Sequence, residues 1–436
     1  MLAGGRNQTR VRQAAARVFA DDTGSRRTVA SAAVTHFGLG GSPRERFARQ
    51  VLRTLKASGR VASARYIDED FSIEYQLIGA PSPGRIFLEN TFRETEQASV
   101  QERALRIRRL IDAVVGSQGV PPWPQAREKL RPVLRAATFG LGVANPRAPQ
   151  LSRPVLPFLI EAVVVDEPTA MAYVDHRNLA EWGVTGDVVF AAARANLAAR
   201  APRVDGPPAS GPTLLRIVDD GDTYVTSLLL VDGFLAGLAS QVGGRPVAFV
   251  PDRTTLLVVG EDPRLLAMVY DLVEEQYRQA PRSISPVGYT VDDRGVVVPY
   301  TAPAGSALAR RAHRAEVLLA ATEYAAQKKA IEADLERQGI VGPYVASLLV
   351  TERPDSDTVS VAVWAEDCDA LLPQADVVAF PSAAPDGGQP LTVPFAVVAR
   401  EAALVPEPDY NPPRYRVTRL PDETVMARLR AHAMGL

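Results

Sequence analysis

Five stretches rich in proline and glycine constrain this chain most, because those residues resist the interior of helices and central strands. They span 115–124, 140–154, 200–213, 381–390 and 405–413. With 436 residues, 46% of them apolar, the chain can bury real cores but is too long for one, so two or three domains are expected. The punctuation divides it into an arm at 1–41, a basic α+β subdomain at 42–140, an α+β core at 151–303, and a helix plus α+β domain at 304–436. The predicted class is α+β, a mixed helix and sheet core with a second, smaller α+β domain at the C-terminus.

Charge is unevenly divided. Residues 1–150 carry 24 Lys and Arg against 13 Asp and Glu, although the whole chain is nearly neutral at −1. The global balance argues against a polyanion binder, while the basic half leaves either docking of the halves or a local basic patch. A single cysteine, Cys368, excludes a disulfide framework. The most apolar stretch, 225–239, contains Asp232 and falls short of the roughly 18 apolar residues a spanning helix needs, so no membrane insertion is expected. The first residues show no apolar segment with a cleavage site, so no secretion signal is read and a cytoplasmic location is expected.

Local signals place the elements. Ser42, Pro43 and Glu45 form a capping box, Phe47, Val51, Leu52 and Leu55 an apolar stripe, and Gly59 a left-handed stop. A hairpin is predicted over 61–78 and helical sequence over 86–115. Thr185 is read as the cap of a helix over 186–200, with 162–166 and 214–218 as buried strands. Helical spacing continues through Val225, Leu228, Leu229, Ala236 and Ala239, with Gly233 and Gly237 offering a flat packing face. Hairpins are expected at Asp252 and Arg253 and at Asp293 to Gly295, with a helix capped by Asp262 between them. Beyond residue 304 the reading is a helix from Ala307 to Gln338, strands at 344–352, 358–366, 375–380 and 394–401, and a closing helix near 425–432. Leu308, Ala312, Ala315, Leu318, Leu319 and Ala326 line a narrow stripe on the long helix, suited to packing within the chain or to a homodimer seam.

Several runs occur in a suggestive order: RPVLPFL at 153–159, L-x-x-W-x-V and D-x-x-F-x-x-A-x-x-N-L within 179–197, VDDGDTYVTSLLL at 218–230, PVAFVPDRTTLLV at 246–258 and SPVGYTVDDRGVVVPY at 285–300. Together they resemble the YtpQ family of bacterial proteins, over about residues 42–301. The resemblance implies an ordered α+β domain of unknown function and supplies no activity or catalytic residue. The C-terminal extension departs from it.

Reactive chemistry is sparse. The glycine-rich run at 37–43 lacks the lysine of a phosphate-binding loop and reads as a linker, and no G-x-S-x-G elbow occurs. Four scattered histidines, His36, His176, His313 and His432, do not make a zinc site. Cys368 could act as a nucleophile only if His313 or His432 folded against it, and otherwise reads as a small packed residue. Asp219, Asp220 and Asp222 could gather on a hard cation, or simply form a turn. Tyr173, His176, Arg177 and Trp182 could line a ligand pocket, or serve as core anchor and helix cap. Arg103, Arg106, Arg108, Arg109, Arg127, Lys129, Arg131 and Arg135 could contact an anion or nucleic-acid phosphates. The favoured reading is a non-enzymatic protein-interaction or assembly module with a protein partner and no cofactor. The alternatives are a metal-assisted hydrolase or nucleotide-handling enzyme using the aspartates, and a weakly specific nucleic-acid-associated protein.

Overall fold

A computed structural model describes residues 42–435 except 69–70, 80–83, 97, 116–120, 142–148, 168–169, 203–207, 219–223, 354–356 and 383–388. The arm at 1–41, most of the glycine-rich run, and the Asp219, Asp220 and Asp222 turn therefore lie outside the described residues. The chain is α+β throughout.

Helix α1 (Pro43–Ala57) starts at the expected capping box: Ser42 Oγ accepts from the Glu45 amide at 3.1 Å, and the Glu45 carboxylate accepts from the Ser42 amide at 2.9 Å. It packs on an antiparallel meander of β1 (Val61–Ile67), β2 (Ser72–Leu77) and β3 (Gly84–Phe87). Helices α2 (Glu89–Thr95) and α3 (Val100–Val115) follow. The run expected to be helical from residue 86 thus begins as an edge strand and is interrupted before residue 100. Phe47, Val51, Leu55, Ile73, Leu88, Ile107 and Ile111 form this lobe's own core.

The middle of the chain holds two sheets. Helix α4 (Trp123–Lys129) leads into β4 (Leu130–Ala136), and β5 (Ser152–Leu156), β6 (Leu159–Glu167) and β7 (Ala170–Tyr173) complete the first sheet. Strand β6 pairs with β4 along one edge and with β5 and then β7 along the other. Its residues 159–165 are all buried, Glu161 among them, as expected of a strand covered on both faces. Helices α5 (His176–Trp182) and α6 (Gly186–Ala198) follow; Thr185 holds the cap position of α6 without a side-chain hydrogen bond. The second sheet is antiparallel, in the order β12 (Val297–Pro299), β11 (Ser283–Val291), β9 (Pro246–Asp252), β10 (Thr255–Gly260), β8 (Leu214–Val218). Helix α9 (Pro263–Gln279) lies on it, capped by Asp262.

The helical spacing after residue 225 does not yield one helix. A 3₁₀ turn at Val225–Leu230 gives way to two single turns, α7 (Phe234–Gly237) and α8 (Ala239–Val242). Gly233, with φ of 74°, breaks the register, and a side-chain carbon added at Gly233 or Gly237 would meet nothing within 4 Å, so their flat face packs against nothing described.

Helix α10 (Ala307–Gln338) matches its predicted bounds and is about 48 Å long at 1.5 Å per residue. Leu308, Ala312, Ala315 and Leu319 sit in the core of the second sheet, with Leu318 packed beside them, whereas Ala326 is exposed. The stripe read as a packing face or homodimer seam is thus covered mostly by its own chain. Farther along, α10 carries Tyr324 and Gln327 onto the C-terminal domain. That domain holds β13 (Tyr344–Val345), β14 (Leu349–Glu352), β15 (Thr358–Val363), β16 (Ala370–Pro373), β17 (Val377–Phe380), β18 (Leu391–Pro394) and β19 (Arg414–Val417), in sheets ordered β13–β16–β19 and β14–β15–β17–β18. The stretch expected as a strand at 394–401 is instead helix α11 (Phe395–Glu401). A five-residue apolar run has no period that separates the two states, and burial of Phe395 and Val398 three residues apart decides for helix. Helix α12 (Glu423–Arg430) closes the fold. Among the described residues no helix is long and apolar enough to cross a membrane.

Candidate functional site

Where α10 passes from the middle of the molecule to the C-terminal domain, an open groove of about 650 Å³ forms. One wall is the turn between β5 and β6, with Pro154, Leu156, Pro157 and Phe158; another is α10, with His313, Glu316 and Ala320; the far side is Ser360, Asp376, Pro412 and Pro413. Phe158 turns the chain with φ of 61°, a left-handed conformation uncommon for a side chain of this size, and its ring meets Tyr324 edge-on at 5.8 Å.

A polar cluster sits in this groove. The parallel register of β15 and β17 places Val361 opposite Val377, which brings Ser360 beside Asp376. The Asp376 Oδ2 accepts from the Ser360 amide and hydroxyl, both at 2.7 Å, while the Asp376 amide donates to Ser360 Oγ at 2.8 Å. His313 Nε2 lies 3.2 Å from the same carboxylate oxygen, and its Nδ1 lies 3.6 Å from Glu316. Hydrogen bonding to Asp376, then to Glu316, raises the imidazole pKa to about 10 against the opposing effect of burial. Burial works against the Asp376 carboxylate, yet the bonds from His313 and Ser360 outweigh it and hold its pKa below the ordinary value.

This arrangement does not suit nucleophilic catalysis. In a working relay a neutral imidazole accepts the proton of the nucleophile. Here the carboxylate occupies the middle position, the serine hydroxyl donates to it, and the imidazole is a cation at neutral pH. The cluster is a hydrogen-bonded tie between α10 and the C-terminal sheet, one cation facing two carboxylates.

Behind it lies a second tie. Arg414 is fully buried with no carboxylate among its bonds: Nε donates to Gln327 Oε1 at 2.6 Å, Nη1 to the Ala346 and Leu371 carbonyls at 2.8 and 3.0 Å, and Nη2 to the Tyr324 carbonyl at 3.2 Å. Burial lowers its pKa to about 10. Gln327 donates to the Pro412 carbonyl at 2.7 Å and Tyr324 to the Pro413 carbonyl at 2.8 Å, which fixes the proline floor of the groove.

The side chains singled out in the sequence go elsewhere. Tyr173 accepts from Arg135 Nε at 3.0 Å, His176 is exposed at the start of α5, Arg177 pairs with the helix cap Asp175 at 2.8 Å, and Trp182 stacks on Trp123 and donates to the Pro121 carbonyl at 2.9 Å. These four therefore do not line one pocket; Asp175, not His176, caps the helix. Among the eight basic residues, Arg103 and Arg106 bind backbone carbonyls of Glu94, Thr95 and Glu96, and Lys129 pairs with Glu167 at 2.9 Å. Arg131 and Arg135 are buried, and only Arg108, Arg109 and Arg127 are exposed. Cys368 is packed in the C-terminal core with its thiol pushed up by burial and by Asp369, while His313 is bound to Asp376. Among the described residues, no group of three or more His, Cys, Asp or Glu could hold a metal ion.

Sequence reasoning missed the groove because its parts are separated by more than 250 residues. Its one local signal was His313 three residues before Glu316, a spacing that puts both on one face of a helix. No family model, curated protein or solved structure matches the chain.

Proposed function

We propose that the chain is a non-enzymatic protein-interaction module that takes a partner segment into the groove between the β5–β6 turn, α10 and the C-terminal domain. The observation that carries this reading is an open, largely apolar groove whose charged cluster is engaged within itself: a cationic His313 held between the Asp376 and Glu316 carboxylates, with one negative charge left over. Proline and aromatic faces offer dry contact area, and the charged rim supplies orientation. The YtpQ-like character of residues 42–301 belongs to the same proposal, with the C-terminal domain completing the groove. Ala320→Arg would fill the groove from a half-buried position on α10. Nuclease-treated affinity capture from the native lysate should retain a stoichiometric protein with the wild type and lose it with Ala320→Arg, folding being checked by circular dichroism. Equal retention by the two proteins would contradict the groove as the binding site.

A second reading has its own observation. A cavity of about 810 Å³ on the N-terminal lobe is lined by Arg46, Arg49, Arg53 and Arg103, with Glu96 as its acidic lining residue. This supports weakly specific contact with nucleic-acid backbone. Duplex binding at low salt that falls steeply as salt rises, and weakens in Arg53→Ala, is the expected outcome; no binding at low salt would dismiss it.

A further inference from the structure

The groove carries a charge that its own residues leave unmet. One imidazolium, His313, faces two carboxylates, Asp376 and Glu316. The side-chain bonds of Asp376 fall on Oδ2, from the Ser360 amide and hydroxyl at 2.7 Å and from His313 Nε2 at 3.2 Å, and they leave Oδ1 as a further acceptor. Glu316 lies 3.6 Å from His313 Nδ1, with its side chain half exposed on α10. Among the described residues no Lys or Arg lines the groove. The cluster therefore keeps one net negative charge between apolar walls, and walls of low dielectric concentrate the field of a charge they flank.

The same walls define what surrounds the countercharge. Pro154, Pro157, Pro412 and Pro413 have no amide hydrogen to offer, and the Pro412 and Pro413 carbonyls already accept from Gln327 and Tyr324. With Leu156 and Phe158 beside them, they suit aliphatic or proline side chains on either side of a cation. Gln374 and Asn411 also line the groove, and a primary amide both donates to and accepts from a main chain. Strand β5 is the end strand of its sheet, and its Val155 and Leu156 line both the groove and a neighbouring cavity of about 520 Å³. The path along β5 is thus longer than a small free cation and fits a short extended chain.

On the reading that this groove is the binding site, we propose that its partner is a basic, extended peptide segment, with a Lys or Arg set against Glu316 and Asp376 and flanked by proline or aliphatic residues along β5 and the Pro412 and Pro413 floor. The charge that attracts this segment repels an acidic one, so it selects the partner as well as holding it.

The test is selection of phage-displayed random peptides on the full chain, after removal of those that also bind Ala320→Arg. The remaining, groove-dependent peptides should be enriched in Lys or Arg beside proline and aliphatic residues. In fluorescence anisotropy a selected peptide should bind about tenfold more weakly when its basic residue is replaced by norleucine or citrulline, and about tenfold more weakly to Glu316→Gln. The two losses should be less than additive, because both remove the same contact. Affinity for the wild type should also fall as salt rises, which tests the charge without any variant. Groove-dependent peptides that lack a basic residue, or equal affinity for the wild type and a folded Glu316→Gln, overturn the proposal and leave the groove standing as a binding site. Recovery of no peptide that Ala320→Arg fails to bind would overturn the groove itself.

Discussion

The groove cluster and Arg135 on the first sheet both bring charged groups into the interior, and they differ in one respect. In the groove, His313 faces two carboxylates, and Arg414 behind it is surrounded by carbonyls and an amide oxygen. At Arg135, the buried Nη2 lacks an acceptor among the described residues. A buried charge whose hydrogen bonds are made acts as a mechanical joint, since burial is tolerable only on that condition. A buried donor left without an acceptor costs stability instead.

Three substitutions sharpen this contrast. Arg414→Ala should be the most damaging, at about 3–5 kcal/mol, because it leaves three carbonyls and Gln327 without their donor in a closed interior. Trp364, packed in the C-terminal core, reports the loss by fluorescence in urea when Trp123 and Trp182 are replaced by Phe. Glu161→Gln comes next, at about 3 kcal/mol: this fully buried carboxylate joins Arg153 at 2.9 Å to Arg194 at 2.8 Å, and a neutral amide leaves Arg194 without its carboxylate and Arg153 with only the exposed Asp187 at 3.8 Å. Equilibrium unfolding followed by circular dichroism measures it.

His313→Gln should cost about 1 kcal/mol at neutral pH, a figure kept small because the ring is 40% exposed and screened by solvent. The sign follows from the raised pKa. Stabilisation by the imidazolium is complete below its unfolded value near 6.5 and is lost as pH rises through about 10. The stability difference between wild type and His313→Gln should therefore shrink from pH 7 to pH 10.5 in urea titrations.

Much of the fold was readable in the sequence. The α1 capping box, the hairpins, and both ends of α10 follow from cap chemistry and turn residues, which act over a few positions. Phe395–Glu401 was misread because a short apolar run carries no decisive period, and the region after Val225 because the left-handed Gly233 breaks a pattern that spacing alone continues. The sites were less readable. Arg131 and Arg135 look like surface charge in a list of basic residues, yet they alternate with Val133 along a strand, and that face is buried. The approach of Ser360, Asp376 and His313 depends on a parallel register and on the course of a helix of 32 residues, neither of which short-range pattern contains.

The most direct test of the groove as a binding rather than a reacting site is the titration of His313 by NMR of its imidazole nitrogens, assigned by the signal lost in His313→Gln. The ring is expected to remain doubly protonated through pH 9 and to release its proton near pH 10. A midpoint near 6.5 would leave a neutral imidazole at physiological pH, free to act as a base, and would contradict the reading of this cluster as a closed tie.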